Sequence, residues 1–338
     1  MKKIICVLSV VCTVLGSCST GEAAAGAMAK LFGGSSEALV FLDCRAVSED
    51  EIEFDFSRPV TVKSLSFEPV ISVASIEEGS TVKVRLNEIQ KPGSEITADI
   101  LVEDPDKNTI NVLIPFRARN NRMPSLVINE IRTEHSAPKC EFIEFKTLTA
   151  GNLGGMRVFI LNNSKTNKQT VYEFLPVEVK KDEYIVLNLR TPEADCKDEY
   201  GVNLAESGGT NSSPTSRDFW IPGSTKLIHK AASAIYVLDQ DDRALAAVMI
   251  SENAASWWGQ EHLAEAAEFL FNQGAWKSAD GKICGPADAV NSAASTNTRT
   301  ICRDDTVKNS KTAADWYITA NSSATPGKPN NPKRYVPK

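Results

Sequence analysis

The chain has 338 residues, enough for two cores of ordinary domain size, and 42% hydrophobic with 24% charged residues excludes a wholly disordered polymer. A formal charge of -6 and the lack of a dense basic tract argue against nucleic acid as the main partner. Only three histidines are present, and no G-x-S-x-G, H-E-x-x-H, P-loop or G-x-G-x-x-G motif occurs.

The chain opens with Lys2 and Lys3, followed by the apolar run "IICVLSVVCTVL". That run is too short for a permanent membrane helix, which takes about 20 residues, so residues 1–17 read as an export signal. The run ends in "LGSC", with the small Ser17 just before Cys18. This resembles a bacterial lipobox, in which the cysteine is acylated and becomes the new N-terminus. Cys18 is therefore the expected lipidation site, and the membrane is a partner through that lipid. The expected location is the bacterial cell envelope, periplasmic or surface-exposed. Each buried acyl methylene contributes about 0.8 kcal/mol, so several chains on one cysteine anchor firmly. A rival cleavage at "AMA", residues 27–29, would instead release a soluble secreted protein. Residues 18–37, rich in Gly, Ala and Ser, read as a flexible tether.

From 38 to 121, short runs such as "ALVFLDCRAV", "EIEFDFSRPVTV", "SLSFEPV", "STVKVRLNEI", "EITADILVEDP" and "TINVLIPFRA" alternate with turn residues. In "EIEFDF" the acids Glu51, Glu53 and Asp55 alternate with Ile52, Phe54 and Phe56, the period of a half-buried strand. About seven such strands predict an all-β sandwich. The runs "FDFSRPVTVKSLSFEP" and "GSEITADILVEDPDKNTI" resemble the Ig-like modules of bacterial surface proteins, which act as spacers or adhesive units.

"RNNRMP", residues 119–124, marks a boundary, and 124–338 reads as a second β-sandwich domain with a helical insert at about 251–290. Within the insert, residues 258–276 take helical periodicity: Leu263, Ala267 and Leu270 on one face, Glu261, Glu265, Glu268 and Asn272 on the other. Ahead of it stand Trp257 and Trp258, either the anchor of the insert or part of a binding surface. "LDQDDRAL" reads as a hairpin turn, because it lacks the glycine and distal glutamate of a calcium loop. Beyond the signal and Cys18, five cysteines remain: Cys44, Cys140, Cys196, Cys284 and Cys302. None forms C-x-x-C, which disfavours structural zinc, and the odd count leaves at least one free thiol. A Cys284–Cys302 disulfide is expected across a Ser/Ala/Asn-rich loop, worth about 3 kcal/mol; the other reading leaves both unpaired. Cys44 reads as a small buried hydrophobe.

The stretch "LVINEIRTEHSAPKCEFIEF", residues 126–145, carries acids within strands. Strict alternation puts Asn129 on the face of Val127 and Ile131, and Glu130 on that of Leu126 and Ile128. If the two runs pair, facing carboxylates repel unless cations or amide donors offset them; Arg132, Lys139 and Lys146 are at hand. A metal-dependent hydrolase or phosphodiesterase, or its accessory subunit, using Glu130 and Glu144 with Asp304 or Asp305, is the alternative function on these residues.

"LVINEI", "EFIEF" and "GNLGGMRVFI" resemble the lamin tail domain family, an Ig-type sandwich found in nuclear lamins and exported bacterial proteins. Its signature falls on Asn129 and Glu130, on Phe142, Ile143 and Glu144, and on Leu153 and Gly155. "VEVKKDEYIVL", "AIYVLDQDDRALAAVMI", "RTICRDD" and "AADWYITANSSATPGKPN" are similar to its later elements in order. Met156, Lys146-Thr147, Asp182-Glu183 and the helical insert depart from the pattern. The resemblance implies a non-catalytic structural, adhesive or protein-binding module without a cofactor. Its expected partner is another envelope or extracellular protein.

Overall fold

The computed structural model describes residues 38–252, 256–307 and 309–337. The signal at 1–17, Cys18 and the tether at 18–37 lie outside the described residues. The chain is mainly β, of β-sandwich type, with one α-helix among the described residues. It divides into two compact units, one built on Glu51–Glu88 and Ile96–Phe116 with the stretch up to Arg45, the other on Arg117–Lys338 with Ala46–Asp50 and Ile89–Glu95.

The first unit holds β1 (Phe41–Ala46), β2 (Glu51–Glu68), β3 (Val73–Glu77), β4 (Gly79–Leu86), β5 (Glu95–Glu103) and β6 (Thr109–Arg117). Ile52, Phe54 and Phe56 of β2 are buried with Val82, Val84, Ile96, Ala98, Ile100 and Val102. On the opposite face of the strand, Arg45 is bonded to Glu53 and Asp55 at 2.6 and 2.7 Å. The alternation of "EIEFDF" thus sorts into core and surface as its period requires. Two strands were expected between 51 and 70, yet β2 runs unbroken for 18 residues. Its first half pairs with β4 and its second half with β5. The register shifts between Asp55 and Val60, around Pro59, and again between Val62 and Ser64. Bulges bend a strand without ending it, which carries β2 from one sheet partner to the next where the sequence suggested a break.

The second unit contains β7 (Leu126–Arg132), β8 (Phe142–Thr147), β9 (Gly151–Asn152), β10 (Arg157–Asn162), β11 (Gln169–Glu173), β12 (Glu178–Val179) and β13 (Tyr184–Asn188). It continues with β14 (Ser216–Trp220), β15 (Ala232–Leu238), β16 (Ala244–Ser251), α1 (Glu261–Asn272), β17 (Val290–Asn291), β18 (Ile301–Arg303) and β19 (Trp316–Ile318). One sheet has the order β14-β13-β8-β7-β18-β19 and another β11-β10-β15-β16-β17, with β9 and β12 pairing separately. Ile128, Ile131, Ile143, Phe145, Ile185 and Leu187 of the first join Val158, Ile160, Ile235, Val237 and Val248 of the second in one buried cluster. The Asp239–Arg243 segment turns between β15 and β16, with Asp239 Oδ1 accepting from the Asp241 and Arg243 amides, as the hairpin reading requires.

Register puts Phe159 and Tyr236 together on the other face of the second sheet. There they stack at 5.0 Å, and Tyr236 meets Phe269 of α1 at 5.9 Å. Leu263, Ala266, Ala267 and Leu270 are the buried side of that helix, in line with the expected periodicity. The helix is shorter than the periodic stretch 258–276 because "NQGAW" stops it. Gly274 takes φ +62°, the Ala275 amide donates to Leu270 O and the Gly274 amide to Phe271 O, the paired bonds of a Schellman ending. Trp258 and Trp276 therefore flank the helix.

The expected Cys284–Cys302 bridge is absent, since both are free thiols, as are Cys44, Cys140 and Cys196. Cys284 Sγ accepts from the Trp276 indole at 3.3 Å, whereas Cys302 sits in β18 opposite Glu130. The Ser-rich loop between them is tied by hydroxyls instead: Ser292 donates to Lys230 O at 2.5 Å and Ser295 to Ser292 O at 2.7 Å. Cys44 is half-buried, less enclosed than its sequence context suggested.

Candidate functional site

Successive strand partners across the six-stranded sheet form one row: Tyr317, Cys302, Glu130, Glu144, Val186 and Asp218. Residues paired across strands share a sheet face, so four acid or thiol side chains are aligned on one surface. A bulge creates this alignment. Ile128 pairs with Phe145 and Glu130 with Glu144, so Asn129 is the extra residue on β7. Ile128 and Ile131 then both enter the core cluster, while Glu130 turns away from it. The simple alternation read from the sequence, with Glu130 beside Ile128 on one face, fails at that residue.

Glu130 and Glu144 are both completely buried. Glu130 Oε1 accepts from the Thr300 hydroxyl at 2.5 Å, and its Oε2 from the Thr325 amide and hydroxyl at 2.9 and 3.2 Å. Glu144 Oε1 accepts from Asn129 Nδ2 at 2.6 Å and its Oε2 from the Gly327 amide at 2.5 Å. Asn330 Nδ2 donates to Asn129 O, Asn129 Oδ1 and Arg303 O, and the Tyr317 hydroxyl donates to Asn331 O. The closing segment "TPGKPNN" thus lies over the row, and the two glutamates hold it there. Arg132, Lys139 and Lys146 form no ion pairs among the described residues; hydroxyl and amide donors face the acids instead.

Burial pushes the Glu130 carboxyl above its ordinary range. Burial, and then the charge of Glu130, push Glu144 well above its own. Cys302 rises well above a normal thiol, chiefly by burial and then through Glu130. At the far end, burial raises Asp218 to about 7. Its oxygens accept from the Ser213 amide at 3.0 Å and from Asn188 Nδ2 at 3.2 Å. Glu199, also completely buried, accepts from the Asp218, Ser207 and Glu206 amides and so orders the long connection from β13 to β14. Chemically, the carboxylates of the row are acceptors engaged by the chain's own donors. Among the described residues no group of three or more His, Cys, Asp or Glu side chains could hold a metal ion.

A family model described as TP_1001_2nd, protein second domain, matches residues 124–318. The chain belongs to this family. The matched span contains Asn129, Glu130, Glu144 and Cys302. An uncharacterized protein of Treponema pallidum (strain Nichols) is 24% identical over 205 residues, which is 56% of this chain and 50% of the relative, so the match spans half that relative's length. A crystal structure of a DUF4876 family protein from Bacteroides thetaiotaomicron aligns with TM-score 0.28 and 12% identity, covering 79% of this chain and 87% of that one. L,D-transpeptidase 3 from Mycobacterium tuberculosis aligns with TM-score 0.15 and 12% identity over 44% of this chain and 81% of its own.

Gly155, the remaining residue of the expected signature, adopts φ +81°, and a Cβ there would lie 2.8 Å from Gln240 Nε2. Backbone geometry and space both call for glycine at this turn. The two tryptophans separate in role. Trp258 is buried and donates from Nε1 to Cys284 O at 3.1 Å, whereas Trp257 is 55% exposed. Trp258→Phe is expected to cost about 1–2 kcal/mol through the orphaned carbonyl, and Trp257→Ala to stay within about 0.5 kcal/mol; urea unfolding of both variants checks the contrast. Asp218, Glu199 and the donors Thr325 and Gly327 escaped sequence reasoning about the site. The one available signal was Asp218 between Arg217 and Phe219, an acid inside a run with strand character.

Proposed function

We propose that this protein is a lipid-anchored protein of the bacterial cell envelope whose β-sandwich units serve as a non-catalytic structural, adhesive or protein-binding module. In this reading the second unit is an Ig-type sandwich of lamin-tail kind and the first an Ig-like spacer. The observation that carries the non-catalytic part is the complete enclosure of Glu130 and Glu144 among the chain's own donors. All four of their oxygens accept hydrogen bonds from the chain itself, three of the donors lying in the closing segment or in Thr300. A general base must lie within reach of substrate, and both carboxylates are completely buried with Thr325 and Gly327 of the C-terminal segment bonded to them. The anchor rests on Lys2, Lys3, the apolar run and Ser17-Cys18. A binding role is supported by the exposed Trp257 and Ile283, which stand beside the buried Trp258–Cys284 contact.

Metabolic labelling with an alkyne fatty acid tests the anchor. Label and membrane fractionation are expected for the native chain, and loss of both for Cys18→Ser. Label retained by C18S, or a native chain found soluble and unlabelled, overturns it. Hydrolytic turnover that Glu144→Gln abolishes while the fold persists would overturn the non-catalytic role.

A further inference from the structure

A cleft of about 300 Å³ opens in the second unit between the Ser136–Lys139 turn, the Thr296–Arg299 turn and the segment at Ser322–Ala324. Its lining includes Arg132, Ser136, Lys139, Asn297, Thr298 and Ser322, and no carboxylate. Arg132 is the unusual member, being 5% exposed while forming no ion pair among the described residues. Its Nε donates to Glu134 O at 3.2 Å and its Nη2 to Asn297 O at 2.5 Å. A guanidinium has five N–H donors, and these two bonds leave three. Arg132 lines the cleft, and its Nη1 has no hydrogen-bond partner among the described residues, nor is it a fully enclosed unpaired atom.

The nearby acids are engaged elsewhere. Glu141 takes both forks of Arg190 at 2.6 and 2.7 Å, Glu130 is held by Thr300 and Thr325, and Glu134 pairs with Lys226. Lys139 is exposed, and among the described residues its ammonium is unpaired and the Ser136 and Ser322 hydroxyls and the Asn297 amide have no side-chain partner. Burial depresses the Arg132 pKa, yet the group stays charged because an arginine's ordinary value is so high. The charges of Glu141 and Glu130 only partly offset that burial, because neither forms a direct ion pair with Arg132, and a bound anion would relieve the remaining cost. Both turns are held rigidly around it: Ser136 and Lys139 exchange two backbone bonds of 2.8 Å, and the Ser322 amide donates to Thr298 O at 2.7 Å.

We propose that this cleft binds a phosphate group carried by a small molecule, with the Arg132 guanidinium as its floor and Lys139, Ser136, Asn297 and Ser322 as its rim. Two cations with several neutral donors suit a tetrahedral oxyanion of charge near −2 better than the two oxygens of a carboxylate. The volume is at the lower end of small-ligand sites, about 300–1,000 Å³. This inference stands apart from the lipid anchor and from the row of acids.

Isothermal titration of the full-length protein in neutral detergent tests it with sodium phosphate, glycerol phosphate and sodium acetate at matched ionic strength, and with phosphatidic acid carried in mixed micelles of the same detergent. Saturable binding of phosphate or its ester, well ahead of acetate, is expected. Lys139→Gln should weaken it about tenfold, the loss of one charge-assisted contact, and leave the ligand-free melting temperature unchanged because Lys139 is exposed. Arg132→Lys, which keeps charge but loses the planar fork, should weaken it further. Tighter binding of glycerol phosphate than of micellar phosphatidic acid assigns the group to a small ester; the reverse order overturns that assignment in favour of a lipid headgroup. No saturable binding, acetate equal to phosphate, or binding indifferent to K139Q overturns the proposal.

Discussion

Glu144→Ala is expected to lower the free energy of unfolding by about 2–4 kcal/mol, with the loss concentrated in the C-terminal segment. The substitution removes the acceptor for Asn129 Nδ2 and for the Gly327 amide, both bonded to it at 2.5–2.6 Å in a completely enclosed position. Asn129 keeps a weaker contact with Asn330 Oδ1 at 3.2 Å, but the Gly327 amide has no substitute. Glu144→Gln keeps the shape and removes the charge facing Glu130, so its cost should be smaller, about 1–2 kcal/mol. One of its two terminal atoms must then present N–H to a donor. Urea unfolding, together with hydrogen exchange at Gly327, measures both effects. The sign is what decides between roles. Residues kept for chemistry are usually a burden on the fold, and removing them tends to stabilise it. Increased stability in E144A would therefore count against the structural role assigned here and favour a catalytic one.

The second large effect is in pH. Asp218 has its carboxyl raised by burial from 3.8 to about 7, so between those values the folded state binds more protons than the unfolded chain. Stability from this group is then fully present below pH 3.8 and is lost as pH rises through about 7. At full extent the difference is on the order of 4 kcal/mol. Glu130 and Glu144, also raised by burial, act in the same direction. Asp55, Asp241 and Asp304 are lowered, chiefly by hydrogen bonds from Thr81, Arg119 and Thr306 respectively, and so contribute stability that is lost on strong acidification. Their opposition puts the stability maximum on the acid side of neutrality, below the folded pKa of Asp218. Urea midpoints measured from pH 4.5 to 8 should fall with rising pH, and Asp218→Asn should flatten the fall. An unchanged slope in D218N would show that Asp218 is already ionised in the fold.

Strand character, the hairpin at Asp239–Arg243 and the buried side of α1 were legible in the sequence because each depends on local periodicity or turn chemistry. Leu263, Ala267 and Leu270 recur at helical spacing and are buried, and Ile52, Phe54 and Phe56 recur at strand spacing and are buried. Asn129, Glu130 and Glu144 stood out in the sequence as polar residues inside strand-like runs. What they do was not legible there, because their partners Thr300, Thr325 and Gly327 are some 170 to 195 residues away. The side to which Glu130 points was decided by a single extra residue in β7, and pairing register across strands is a tertiary property. The same holds for Cys284 and Cys302, whose nearness in sequence suggested a bond that their separate strand and tryptophan environments do not allow. Sequence by itself determined a two-part β protein with acids inside strands. Only the tertiary structure showed those acids as one row beneath the C-terminal segment, because burial and distant donors, more than spacing, set the state of a carboxylate.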